Sequence, residues 1–240
     1  MCWYLMSILR RNSRYRICVS IGKRSLNDVL EGVKLAESKG ADLIEIRFDY
    51  LLQKSPETLD KIRTSTKLPL IFTLRSNSYG GLFTGSEKER LKIFEEAARK
   101  GFNYIDVEYN SPLVENMIEL RDLHKSFEII ISWHDFNTTP QLGQLVDIHL
   151  DMCSQGCDVS KIVTTARRGF DNLIVLGLFK YVRKPTVAFA MGDIGIPSRV
   201  LSPLFGGFYT YASLEVGSET APGQISIDAI RSFLGAGDVK

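Results

Sequence analysis

Short β-branched runs and amphipathic stripes alternate along almost the whole chain, and that alternation leaves few folds open. The runs fall at residues 17–21, 43–48, 70–74, 104–109, 128–133, 159–164, 185–190 and 207–212. Helical patterns with charged outer faces lie between most of them. Leu26, Val29, Leu30, Val33 and Ala36 share one stripe that stops at Gly40. Ser86, followed by Glu87 and Glu89, caps a second stripe of Leu91, Phe94, Ala97 and Ala98 that ends at Gly101. Strands alternating with helices build a parallel sheet. Eight units within residues 16–240 predict a single closed (β/α)8, or TIM, barrel rather than an open sheet, which needs fewer strands. The glycine-rich dinucleotide fingerprint is missing after the first run, where Gly22-Lys23-Arg24-Ser25 leads into the helix.

A barrel makes a parity test possible, because alternate strand residues face the helices or the axis. Ile44, Ile46 and Phe48 suit the helix layer and leave Glu45, Arg47 and Asp49 inside. The next strands put Thr73 and Arg75, Asp106 and Glu108, and Ser132 and His134 inside, then Lys161. Five consecutive strands thus combine apolar outer faces with ionisable inner ones. Charges of both signs converging in a low-dielectric interior are costly unless paired, and they seldom persist for stability alone. In this fold the site lies at the C-terminal strand ends, where Arg75, Glu108 and His134 fall. Lys161 stands within Val159-Ser160-Lys161-Ile162-Val163. Desolvation disfavours its ammonium and leaves a nucleophile able to form a Schiff base, with His134 as proton carrier beside it.

Composition excludes several other classes. With 30 Lys+Arg against 28 Asp+Glu the chain is nearly neutral, and no long basic run marks a nucleic-acid partner. Three scattered histidines supply no 2-His–carboxylate set, so no metal is expected. His124 and His149 read as helix-surface residues without chemistry. Cys2, Cys18, Cys153 and Cys157 read as reduced, packed thiols, as in a cytosolic chain. Met1 to Leu9 is apolar, but Arg10-Arg11-Asn12-Ser13-Arg14-Tyr15-Arg16 follows it, the reverse of a secretory signal. Residues 1–15 therefore read as an extension ahead of the fold, with a weak membrane-surface anchor as the alternative.

Several segments match a known pattern in order. They are Glu45-Ile46-Arg47-Phe48-Asp49, Phe72-Thr73-Leu74-Arg75-Ser76, Ile105-Asp106-Val107-Glu108, Ser132-Trp133-His134-Asp135-Phe136 with Thr139-Pro140, and Lys161-Ile162-Val163. Met191-Gly192, Gly195-Ile196-Pro197-Ser198-Arg199 and Ala221-Pro222-Gly223-Gln224-Ile225-Ser226 complete the set. From about Ile17 to Leu234 the chain resembles the type I 3-dehydroquinate dehydratase family of the shikimate pathway. The resemblance implies a hydro-lyase in which Lys161 forms an imine with 3-dehydroquinate and His134 is the general acid and base. It implies substrate binding by Glu45, Arg47, Arg75, Arg199, Thr220 and Gln224, with Arg199 on the carboxylate and the loop around Gln224 as a lid. Gly217 and Gly223 would let that loop move. It implies no cofactor, a cytoplasmic location and a homodimer, with no nucleic-acid or membrane partner.

Two positions depart from the pattern. The family commonly places a Glu, which bonds the catalytic His, where this chain has Tyr79; Glu108 and Tyr79 are the candidate partners of His134 here. Thr220 stands where Ser is frequent, so the hydroxyl survives. A class I aldolase on a barrel is the nearest competing reading, although Arg199 and the 221–224 segment suit a carboxylated ring better than a phosphorylated sugar. A catalytically inactive barrel used as a binding module is the other, and the presence of both Lys161 and His134 argues against it.

Overall fold

The computed structural model describes residues 15–234. The expected extension at residues 1–15 and Cys2 lie essentially outside them. Among the described residues eight strands alternate with eight α-helices: β1 (Ile17–Ile21), α1 (Leu26–Ser38), β2 (Leu43–Arg47), α2 (Pro56–Thr64), β3 (Leu70–Thr73), α3 (Glu87–Arg99), β4 (Tyr104–Glu108) and α4 (Val114–His124). The second half adds β5 (Glu128–His134), α5 (Leu142–Ser154), β6 (Val159–Thr165), α6 (Asp171–Gly177), β7 (Thr186–Met191), α7 (Ile196–Leu201), β8 (Thr210–Ala212) and α8 (Ile227–Leu234). Neighbouring strands are parallel, in the order β7-β6-β5-β4-β3-β2-β1-β8. The Phe208 N–H donates to the Thr186 carbonyl at 2.8 Å and draws the remaining seam together. The result is the expected (β/α)8 barrel, nearly closed.

Local signals set the helix starts. Ser25 accepts from the Asp28 N–H ahead of α1, and Ser86 and Glu89 form a reciprocal capping box ahead of α3. Each satisfies donors that the first helical turn leaves without partners. None of the described helices is long and apolar enough to cross a membrane.

Two apolar layers lie on opposite sides of the sheet. The outer one packs strand residues such as Ile44, Ile46 and Phe72 against helix residues such as Val33, Ile62 and Phe94. Phe72 is its aromatic hub, with ring centroids 5.1, 5.9 and 5.3 Å from those of Phe48, Phe94 and Phe102. The inner layer includes Leu43, Ile71, Ile130, Val159, Val187 and Tyr209 and fills the lower barrel. It forms an apolar floor beneath the ionisable residues at the strand ends.

The structure corrects three details. β2 gives way to a 3₁₀ turn at Phe48–Tyr50, so Asp49 does not continue the inward row. Its carboxylate instead accepts from Arg47 and from the Leu82 N–H. β8 is shorter than the run at 207–212, because Gly206 at φ +100° turns the chain just before it. His149 is fully buried rather than on a helix surface. Its Nδ1 meets the Ser160 hydroxyl at 2.8 Å and its Nε2 accepts from the Arg183 N–H at 2.9 Å. Those two polar groups satisfy a ring that helical periodicity alone would place outside. Cys18, Cys153 and Cys157 are free thiols.

Candidate active site

The parallel register gathers side chains from five strands and the loops that follow them around one cavity of about 160 Å³ at the C-terminal end of the barrel. Lys161 stands at its base with its amine almost wholly enclosed. Its Nζ donates to Asp106 Oδ2 at 2.9 Å and to the Tyr211 hydroxyl at 3.0 Å, and it lies 3.4 Å from Glu45 Oε1. Desolvation therefore does not act alone on this amine, because two carboxylates face it.

Each carboxylate is fixed from several directions. Asp106 Oδ1 accepts from Arg75 Nη2 at 2.8 Å and from the Ser132 hydroxyl at 2.7 Å. Burial pushes the Asp106 carboxyl up, but Arg75, Lys161 and the Ser132 hydrogen bond outweigh it and hold it well below the usual carboxylate range. Glu45 accepts from Ser20 at 2.5 Å, from Thr73 at 3.0 Å and from Tyr211 at 3.1 Å. Burial also raises Glu45, and Lys161 and Arg47 reverse the shift to a net lowering.

His134 ends β5 at the rim, half-buried, with its ring stacked on Phe136 at 5.9 Å and 11°. Burial, together with the positive charges of Arg75 and Lys161, holds its pKa well below the ordinary imidazole value. The ring is therefore neutral near pH 7 and able to accept a proton. Neither candidate partner bonds to it. Glu108 is drawn away by Arg90, which is fully buried on α3, and also faces Arg75 Nη1 at 3.2 Å. Tyr79 donates its hydroxyl to the Asn110 carbonyl at 3.0 Å while lining the cavity.

Arg199 differs from the other cations. It is fully buried, and among the described residues no carboxylate pairs with it. Nη2 donates to the Pro222 carbonyl at 3.3 Å, the guanidinium lies 4.1 Å over the Phe189 ring, and Nε and Nη1 have no hydrogen-bond partner among the described residues. Burial pulls its pKa down to about 9. A buried guanidinium with two free donor nitrogens beside a small cavity is built to receive an anion, and its planar fork suits a carboxylate.

The loop after β8 closes the far side. Thr220 donates its hydroxyl to Ser20 at 2.8 Å, and its N–H donates to Gln224 Oε1 at 2.7 Å. Gly223 serves close approach rather than motion. At φ +69° a Cβ there would come within 2.3 Å of the Gly192 carbonyl oxygen. Gly217, also at positive φ, has open space around it.

The structure thus brings Lys161, His134, Glu45, Arg47, Arg75, Arg199, Thr220, Gln224 and Tyr79 to one cavity, with Glu108 behind it. Sequence reasoning assigned no role to Tyr211 or Arg90, and it left Asp106 as no more than a structural partner. The parity of Tyr209 and Tyr211 was a usable signal in β8. Arg90 gave none, since an arginine on a helix ordinarily points to water.

The model of the family described as type I 3-dehydroquinase matches residues 17–239. The chain belongs to the type I 3-dehydroquinase family. A 3-dehydroquinate dehydratase from Desulfotalea psychrophila is 38% identical over 223 residues, covering 91% of this chain and 96% of the relative. One from Methanopyrus kandleri is 36% identical over 220 residues, covering 91% and 98%. Among solved structures, the type I 3-dehydroquinate dehydratase from Clostridium difficile, described with covalently modified comenic acid, superposes with a TM-score of 0.85. It is 29% identical, with 94% of this chain and 93% of that one covered. The Geobacillus kaustophilus 3-dehydroquinate dehydratase gives a TM-score of 0.86 at 25% identity, covering 93% and 91%.

Proposed function

We propose that this protein dehydrates 3-dehydroquinate to 3-dehydroshikimate through an imine on Lys161. The observation that carries the reading is the convergence of an enclosed lysine amine, a neutral imidazole and an unpartnered buried guanidinium on one small cavity. Family membership supplies the substrate.

In the proposed sequence Lys161 Nζ attacks the C3 ketone, and the ketone oxygen leaves as water. The protonated imine draws electrons from the adjacent C2–H bond, and neutral His134 takes that proton. The enamine then expels the C1 hydroxyl, which leaves as water with the proton His134 returns. Hydrolysis frees the lysine and the product. The first water released is consumed in this last step, so the net change is loss of one water. Arg199 holds the substrate carboxylate, while Arg47, Thr220 and Gln224 meet ring hydroxyls. Arg75 and Glu45 contribute chiefly by fixing Asp106 and Lys161, since their polar atoms are already engaged. A homodimer in the cytoplasm belongs to the same proposal.

Intact-protein mass after incubation with 3-dehydroquinate and borohydride, followed by peptide mapping, tests the reading. A reduced adduct on Lys161, with dehydrated product in the unreduced control, is the expected result. An adduct without product would redirect the assignment to another imine-forming reaction such as aldol cleavage. Neither adduct nor product would overturn it.

A further inference from the structure

Tyr211 makes contacts that the proposed mechanism leaves unused. It lies on β8, fully inside the barrel, and lines the cavity. Its hydroxyl accepts from Lys161 Nζ at 3.0 Å and donates to Glu45 Oε1 at 3.1 Å. Lysine to phenol to carboxylate is an unbroken donor-to-acceptor chain, whereas the direct Lys161–Glu45 approach is longer, at 3.4 Å. We propose that Tyr211 relays a proton from the Lys161 ammonium to Glu45, freeing the amine to attack. The inference rests on the Lys161 imine reading.

The step balances without a charged phenol. As Nζ gives one proton to the phenolic oxygen, the phenolic proton passes to the Glu45 carboxylate. Lys161 becomes a neutral amine, Glu45 a carboxylic acid, and Tyr211 is unchanged. The stored proton later departs on the ketone oxygen, which leaves as water, and Glu45 is again a carboxylate. A concerted relay suits this phenol, because burial and the charge of Glu45 push its ionisation well above the ordinary range and disfavour a phenolate.

Other groups around the pair fit less well. Asp106 on β4 is close enough to accept, but Arg75 and Ser132 already hold it as an anion. His134 on β5 has no hydrogen bond to the amine, and Arg199 on α7 is a cation that stacks over Phe189. Below the pair, the Tyr209 hydroxyl lies 3.5 Å from that of Tyr211, longer than the contacts to Lys161 and Glu45, and burial keeps the Cys18 thiol protonated.

Tyr211→Phe keeps the ring and removes the relay. Imine formation is followed by borohydride quench at short times, for wild type and variant, across pH. The variant should form imine about 10²-fold more slowly near neutrality, the low end of what a positioned acid–base group is worth. That deficit should close as pH rises, because hydroxide can then take the ammonium proton. Glu45→Gln should show the same pH-dependent loss, and the double variant should lose little more than either single one. An unchanged rate in Tyr211→Phe, or a loss of equal size at every pH, would overturn the relay and leave the imine intact. Absence of any adduct in wild type would instead mark failure of the imine reading itself. If Tyr211→Phe does not fold, the pH dependence of Glu45→Gln decides the same question.

Discussion

The two sides of the cavity solve opposite problems. On the side built by β2 to β6, every buried charge that faces the interior has a partner. Lys161 meets Asp106 and Glu45, and Arg75 meets Asp106 and Glu108. On the side built by β7, α7 and β8, the walls are Phe189, Met191 and Tyr211, and Arg199 has no carboxylate partner among the described residues. Buried ion pairs that are mutually satisfied hold geometry, whereas a desolvated cation without a partner is poised to bind. In the proposed function the paired side would hold the reacting lysine, and the unpaired side would receive the substrate carboxylate.

Removing His134, the proposed proton carrier at the boundary, should have the largest effect. His134→Ala should slow turnover by about 10²–10⁴-fold while still allowing a trapped imine on Lys161. Loss of the trapped adduct would show that the ring is needed for imine formation too. Arg75→Met then breaks the paired side. It removes the cation shared by Asp106 and Glu108, leaving them only Lys161 and Arg90, and should cost up to roughly 3–5 kcal/mol of stability, read by urea denaturation.

Arg199→Met provides the contrast. No charge is stranded, so stability should hold or rise. KM should rise roughly 10–10²-fold, the worth of charge-assisted bonds at about 1.5–3 kcal/mol. If Arg199→Met destabilised as much as Arg75→Met, the division into holding and binding sides would fail.

Acid should separate the groups further. The folded pKa of His134 lies below its unfolded value near ~6.5, so its contribution begins to fall as pH drops below ~6.5, where only the unfolded chain takes the proton. Asp106 and Glu45 are also lowered in the fold. Their contribution is full above the unfolded carboxylate range near ~4 and is lost below it. Stability against pH should therefore decline in two stages, and His134→Ala should remove the upper one. The smallest expected effect is that of Tyr79→Glu. A carboxylate at that position on the cavity wall favours imidazolium, so the acid limb of kcat/KM should move to higher pH. An unmoved limb would show that residue 79 does not sense His134.

Period-two patterning with charged inner positions determined much of this molecule before any coordinates. Apolar Ile44, Ile46 and Phe72 had to face helices, which sent Glu45, Thr73, Asp106, Ser132 and Lys161 inward as neighbours. The alternation of runs and stripes fixed the barrel, and a barrel places strand ends at one mouth. Only the tertiary structure decided which charges meet. Glu108 turns to Arg90 rather than His134, because Arg90 lies on α3, 18 residues earlier in the chain, where nothing local signals the pairing. Arg199 lacks a carboxylate because none among the described residues lies close in space, which composition cannot express. His149 is buried because two polar groups from other elements meet its ring. Tyr211 reaches Lys161 across fifty residues of chain. Periodicity is a property of the chain and can be read from it. Pairing depends on distances that form only when remote segments close, and a sequence carries no record of those distances.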